Sequence, residues 1–322
     1  MTSQKLDTSV RAIKGWLERS VESLGNHSDR LNAINVFPVA DGDTGTNLYL
    51  TARAGHDAVS ALESKDIGGF LDIAARAAME SAKGNSGTLF SVFLSGLSEP
   101  WAGHEHLTAP LLALGLERAK VRSWSALSDP VPGTMLSVIN AAALAASSTL
   151  AHLKVEPESR AALDTVLEQI AQAARLAVQG TESELPMLVS AGIVDAGAVG
   201  MLIVLDELRA AIRHTSMPMD SYDAFHGYDI QDPHVHAEHE TATGVEVMCT
   251  IALDALGAAT LRGQLDAVGD SVIMSPVNQL DEDTYRWRLH VHVAEAEQAL
   301  ELICKQGEPV NVTVTDLSSA HG

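Results

Sequence analysis

Two aspartates, Asp41 and Asp43, flank a single glycine in NVFPVADGDTGTN, residues 35–47, behind Asn35. Carboxylates this close repel one another unless a cation or a ring of donors lies between them. Oxygen ligands at this density suit Mg²⁺ better than Zn²⁺. The same residues also fit a solvated acidic turn, since Asp and Gly are ordinary turn formers, so both readings stay open. Three glycine-rich stretches follow. SAKGNSGT (81–88) puts small residues directly before the apolar run LFSVFLSGL, where a helix start would present free N–H groups to an anion. VPGTMLSV (131–138) does the same for another helix, with Thr134 as its N-cap. SAGIVDAGAVG (190–200) sets Asp195 among glycines before a last helix. Each alone is a common way to begin a helix that binds nothing. Together they supply carboxylates for Mg²⁺, and backbone donors and helix dipoles for phosphates. None of these motifs carries an obvious nucleophile. That fits phosphoryl transfer, where the protein positions groups and neutralises charge while the acceptor attacks.

The elements that must position these residues change character along the chain. In SVRAIKGWLERSVESL, Val10, Ile13, Leu17, Val21 and Leu24 fall on one helical face. Similar stripes run over 70–82, 88–98, 110–121, 134–151, 159–178 and 198–213. With the helix after the aspartate pair they make about eight helices and no convincing strand over 8–213. An all-α bundle or barrel is expected there, with a helical domain bounded at 1–213. Residues 214–243 are polar, aperiodic and carry prolines, and read as a linker. Five of its residues are histidines; a metal contact and a solvated segment both fit them, and the segment is the plainer reading. From 244 to 322 the period shifts. VEVMCTIAL, DSVIMSPV, TYRWRLHVHV and PVNVTVTDL read as strands, AATLRGQLDAV and AEQALELICKQ as helices. That β-α-β-β-α-β order is the order of an α+β, ferredoxin-like unit.

Composition narrows the function classes. With 42 acidic against 21 basic residues the net charge is −21, which argues against nonspecific binding to nucleic acid or anionic membrane. Cys249 and Cys304 alone make no disulfide framework and fit a reducing compartment. MTSQKLDTSVRAIKGW lacks the apolar core of a signal peptide, and no uncharged apolar run reaches the length of a membrane span. A cytoplasmic location is expected.

Taken in order, NVFPVADGDTGTN, KGNSGT, PGTMLSV and AGIVDAGAVG resemble the ATP-binding domain of the dihydroxyacetone kinase family. Within it, the ATP-binding subunit of bacterial fatty acid kinases is the branch they are most similar to, over about residues 8–213. The resemblance implies an eight-helix barrel whose loops at one end hold ATP and two Mg²⁺ ions. It makes Asp41 and Asp43 the Mg²⁺ ligands and catalytic carboxylates, with Asn35 a third ligand. Thr44, Gly45, Thr46 and Asn47 would line the nucleotide, Gly84, Asn85, Ser86 and Gly87 the phosphates, and Thr134 and Met135 the adenine side. Asp195 would close the site. Two departures stand out: Lys83 replaces the arginine usual before Gly-Asn-Ser-Gly, and Asp129 and Pro132 replace charged positions of a Lys-Pro-Val-Glu stretch. Lysine keeps the charge but loses the bidentate fork.

The 244–322 region resembles the middle domain of the same fatty acid kinase chain through VMCTIAL, LDAVGDSV and LHVHV. Along TYRWRLHVHV, Tyr285, Trp287, Leu289 and Val291 share one face, and Arg286, Arg288, His290 and His292 share the other. From the residues alone, the two histidines fit a metal or a plain surface pair. The resemblance implies a structural Zn²⁺ on Cys249, His290 and His292. Alternation instead groups Cys249 with Val245, Val247 and Ile251, so that ligand set requires a bulge or a strand end near Cys249. Chains of this branch continue into a further large domain thought to engage a lipid-binding partner. A chain ending at Gly322 is therefore expected to be a fragment or a shorter relative. The expected function is that of an ATP- and Mg-dependent phosphotransferase subunit that forms a homodimer. It would act on an acceptor held by a fatty-acid-binding partner protein, a fatty acid carboxylate that becomes an acyl phosphate. The alternatives are a non-catalytic nucleotide-binding regulatory or scaffolding module, and a dihydroxyacetone kinase-type subunit.

Overall fold

The computed structural model describes residues 6–38, 40–228 and 244–317. The first two of these ranges hold nine helices: α1 (Val10–Ala33), α2 (Thr44–Val59), α3 (Ile67–Ser81), α4 (Gly84–Trp101), α5 (Ala109–Ala126), α6 (Met135–Ala151), α7 (Arg160–Thr181), α8 (Pro186–Ala191) and α9 (Ala196–Arg213). The helix beyond the expected eight is α8, whose six residues are too few to show a period. Caps mark several starts: Asp66 accepts from the amides of Gly68 and Gly69, both at 3.0 Å, and Ser159 from Ala162 at 3.2 Å. Along α1, Ile13, Trp16, Leu17, Leu24 and Leu31 are buried, and the Trp16 indole donates to the Val204 carbonyl of α9 at 2.9 Å. Of the 18 residues of α9, 15 are buried, with α1, α2, α6 and α7 packed around it.

Residues 215–228 form no regular element, yet they are packed on the helices. Tyr222, Phe225 and Tyr228 are buried in the helical core. The Tyr228 hydroxyl meets the buried His27 ring at 2.7 Å, and the Tyr222 hydroxyl donates to Asp206 at 3.3 Å. The described part of the expected linker is thus anchored by large aromatics, which a polarity profile averages away. Its remainder, 229–243, lies outside the described residues.

The second domain comprises β1 (Val245–Asp254), α10 (Ala255–Asp266), β2 (Gly269–Gln279), β3 (Thr284–Val293), α11 (Ala296–Gln306) and β4 (Val310–Asp316). Its strands form one antiparallel sheet in the order β2-β3-β1-β4. One face carries Val247, Cys249, Ile251, Leu289 and Val291, packed against Leu261 and Leu265 of α10 and Ile303 of α11. The opposite face turns to the helical domain. There Ile273 packs with Met79, Val92 and Ala126, and Leu127 bridges to Ile273. Three arginines add polar contacts. Arg262 donates to the carbonyls of Ser125 and Ala126, Arg286 pairs with Glu80 at 3.3 Å, and Arg288 donates to the Ala82 carbonyl at 3.2 Å. Among the described residues no helix is long and apolar enough to cross a membrane.

Candidate nucleotide and metal site

The acidic turn is built from both sides. Gly42 takes φ +66°, a conformation costly for residues with a Cβ, and α2 starts immediately after Asp43. Asn35 donates to Asp41 through its amide nitrogen, and its amide oxygen accepts from the Thr44 hydroxyl at 2.9 Å. Asn35 therefore orients the turn, both ends of its amide being engaged. Burial pushes Asp41 up to about 7, and the neighbouring Asp43 charge adds to it. Burial raises Asp43 too, with Glu246 contributing, against a hydrogen bond from Asn47. Two carboxylates driven toward sharing a proton are a donor set that a divalent cation relieves.

Beside this turn lies the start of α4. Gly84 has φ +60°, and Lys83, at the N-cap, is exposed and makes no side-chain cap bond. The Gly84 amide is engaged by Glu246 of the second domain, which leaves the amides of Asn85 and Ser86 as the first-turn donors for an outside acceptor. Asn85 and Ser86 line a cavity of about 700 Å³. Thr44, Thr134, Met135 and Asp195 share that wall, so six of the expected nucleotide residues come together. Gly45, Thr46, Asn47, Gly84 and Gly87 do not line it. Gly45 is pressed on α1, where a Cβ would stand 2.2 Å from the Ser28 carbonyl oxygen. Thr46 is held by Asn32 at 2.9 Å. A Cβ on Gly84 would meet Asn47 Nδ2 at 2.5 Å, and one on Gly87 would meet Thr51 Oγ1 at 2.4 Å. These residues shape the helix packing behind the cavity.

Asp195 caps α9, accepting from the Ala198 amide at 2.7 Å, and it also takes the amides of Met135 and Gly197. It thereby ties the starts of α6 and α9 together. Burial pushes it up to about 7 against those hydrogen bonds. The rest of the wall was not foreseen as a unit. Leu89, Leu127 and Val131 come from the helical domain, and Asp266, Asp270, Ser271 and Val272 from the second. Val131 lies in VPGTMLSV and the four second-domain residues lie in LDAVGDSV, but neither stretch marks them as one wall, because only the docking of two domains assembles it.

The histidines also face this junction. Glu246, His290 and His292 offer ligand atoms that all lie within 4.8 Å of one another. His290 is fully buried with its Nδ1 3.2 Å from Glu246, yet neither of its ring nitrogens has an aligned hydrogen-bond partner. His292 Nδ1 lies 3.6 Å from Asp270. Buried orphan imidazole nitrogens beside a carboxylate form a donor set that suits a transition-metal ion. Cys249 is not among them. It pairs with Leu289, while Met248 pairs with His290 and Glu246 with His292, in a β1–β3 register unbroken from Val245 to Asp254. Partners across a ladder share a face, so Cys249 points away, into the apolar side. Burial there pushes its thiol up to about 12, the reverse of what a thiolate ligand needs. The ligand set expected on Cys249 is thus corrected to Glu246, His290 and His292. A signal was present: Glu246 is the single charged residue in VEVMCTIAL.

The two acidic groups form one constellation. His292 acts electrostatically on Asp41, and Glu246 and His290 act on Asp43. Burial alone would raise the Glu246 carboxyl, but His290, His292 and the Gly84 amide outweigh it and hold it below the usual range.

Comparison with known proteins agrees with this layout. The DAK2 domain family model matches residues 38–210, and the model for the middle domain of FakA-like fatty acid kinase chains matches 242–322. Protein YloV of Bacillus subtilis is 26% identical over 97% of this chain and 57% of its own length. Uncharacterized proteins of Staphylococcus saprophyticus and Staphylococcus aureus are each 26% identical, over 94% of this chain and 54% of theirs. The chain spans a little over half the length of the curated relatives it matches.

Proposed function

This chain belongs to the DAK2 domain family, and from that premise we propose that it is the ATP- and Mg-dependent component of a phosphotransferase whose acceptor is presented by a separate protein. One observation carries the reading: Thr44, directly after the acidic turn, and Asn85 and Ser86, in the first turn of α4, line one cavity of about 700 Å³ with residues of both domains. Asp41 and Asp43 would hold Mg²⁺, which when bound neutralises charge on the transferring phosphoryl group. The amides of Asn85 and Ser86 would receive phosphates, and Leu89, Leu127, Val131 and Met135 would supply apolar walls for the base. Glu246, His290 and His292 would hold a further ion, with Zn²⁺ the fitting one.

A fatty acid is the acceptor we favour, because 242–322 matches the middle domain of FakA-like fatty acid kinase chains. Its carboxylate is already ionised near neutral pH, since carboxyl groups titrate at about 4. One carboxylate oxygen attacks the γ-phosphorus, the bond to the bridging oxygen breaks, and ADP and an acyl phosphate result. No proton has to move, in keeping with the lack of a dedicated base in the motifs.

The test is ADP release by the purified chain with Mg-ATP, a fatty acid and a fatty-acid-binding protein. Release that requires all of them is expected. ATP binding without turnover under any such combination would favour a regulatory or scaffolding module. The acidic cavity wall, with no Lys or Arg among the described residues that line it, is the feature that speaks for that second reading.

A further inference from the structure

A triphosphate entering this cavity would meet Asp129, Asp195, Asp266 and Asp270 on the wall and, among the described lining residues, no side-chain cation. Lys83, the cation within the KGNSGT motif, is exposed. One cation is buried nearby. Arg288 is only 4% exposed and projects from β3 on the face of His290 and His292. One of its terminal nitrogens donates to the Ala82 carbonyl at 3.2 Å and the other to the Thr250 hydroxyl at 3.4 Å. Its Nε has no hydrogen-bond partner. Glu246 and Glu80 act on it only at a distance, and Glu80 is engaged with Arg286 at 3.3 Å. A guanidinium buried without a contacting counter-ion is costly, and the cost is relieved when an anion arrives. Ala82 is followed directly by Lys83 and Gly84, where α4 begins.

We infer that Arg288 is a positioning residue for the nucleotide phosphates, delivered by the second domain. It holds the Ala82–Gly84 turn through a main-chain carbonyl and places a fixed positive charge behind the start of α4. The inference rests on the nucleotide reading above. The competing account is an arginine that merely caps the C-terminal end of α3, where a cation is favoured by the helix dipole.

The two accounts separate on phosphate-bearing and phosphate-free nucleosides. Arg288→Met, Arg288→Gln and Arg288→Lys would be titrated with Mg-ATP and with adenosine. Loss of the charge should weaken Mg-ATP about tenfold or more in the Met and Gln variants. Lysine, which keeps charge but not the fork, should cost about threefold. Adenosine should bind all three variants as it binds the unmutated chain. Should Arg288→Met fail to melt cooperatively, Arg288→Gln, which keeps a donor for the Ala82 carbonyl, decides between the accounts. Unchanged Mg-ATP affinity in Arg288→Gln overturns the inference, as does an equal loss for ATP and adenosine or loss of cooperative melting in both variants. An unmutated chain that binds no Mg-ATP is a different result: it removes the nucleotide reading itself, and this inference with it.

Discussion

His290 on β3 and Glu246 on β1 face one another on the side of the sheet that meets the helices, with imidazole Nδ1 3.2 Å from the carboxylate oxygen. His292 completes the group, and Cys249 lies on the other side of the same sheet. This makes the thiol separable from the metal. Cys249→Ala should keep about one metal ion per chain and cost about 1 kcal/mol of stability, the usual size of a core change. Glu246→Ala with His290→Ala should lose the ion. Elemental analysis checks both, and a cobalt-loaded chain should show no thiolate-to-metal absorption. Loss of metal on removing the thiol would restore the ligand set that includes Cys249.

The acidic turn makes a second prediction. Asp41→Ala or Asp43→Ala should abolish Mg-dependent ATP binding in calorimetry while the chain stays folded. Crowded carboxylates repel, so the nucleotide-free melting temperature should hold or rise. Unaltered affinity in both variants would return the motif to an acidic turn.

Gly87 is set against Thr51, where an added Cβ would stand 2.4 Å from the hydroxyl. Gly87→Ala should therefore lower stability by about 1–3 kcal/mol, the range for overpacking. The loss should appear with or without nucleotide, because the clash lies between α2 and α4. Denaturant unfolding measures it, and a variant of native stability with weak ATP binding would put the glycine in the phosphate site itself.

Asp195 gives the chain a pH dependence with a defined sign. Its carboxyl lies at about 7 in the folded state against 3.8 ordinarily, through burial. Between these values the folded chain retains a proton that the unfolded chain has released, so stability falls as pH rises from about 4 to about 7. Below that window the proton's contribution is fully present. Asp195→Asn cannot titrate and should lack this component. Melting temperatures of both chains across the window, without nucleotide, should converge or cross toward pH 7; parallel profiles would show an Asp195 carboxyl that titrates alike in both states.

Local chemistry was legible in the residues. The Asp-Gly-Asp turn, the glycine-rich helix starts and the Thr134 cap all announce themselves within a few positions, because caps and turns are set by neighbours in sequence. The facing of His290 and His292 followed from alternation, and the same alternation already objected to Cys249. Partnership across strands was the step that could not be read, since whether Glu246 or Cys249 meets the histidines depends on register. The roles of Gly45 and Thr46 were hidden for a related reason: Ser28 and Asn32, which hold them, lie a helix away. The wall supplied by Asp266, Asp270 and Ser271 depends on how one domain lands on another, and nothing within either segment encodes that contact alone.

Arg262 and Arg288 take hold of the helical domain at the carbonyls of Ser125, Ala126 and Ala82. Every amino acid brings the same carbonyl to such a position, so any side chain that leaves the backbone path intact would serve. The recognition is consequently one-sided in evolutionary terms. At these three positions the helical side chains can drift without loosening the hold, whereas replacement of Arg262 or Arg288 has no partner side chain whose change could compensate it.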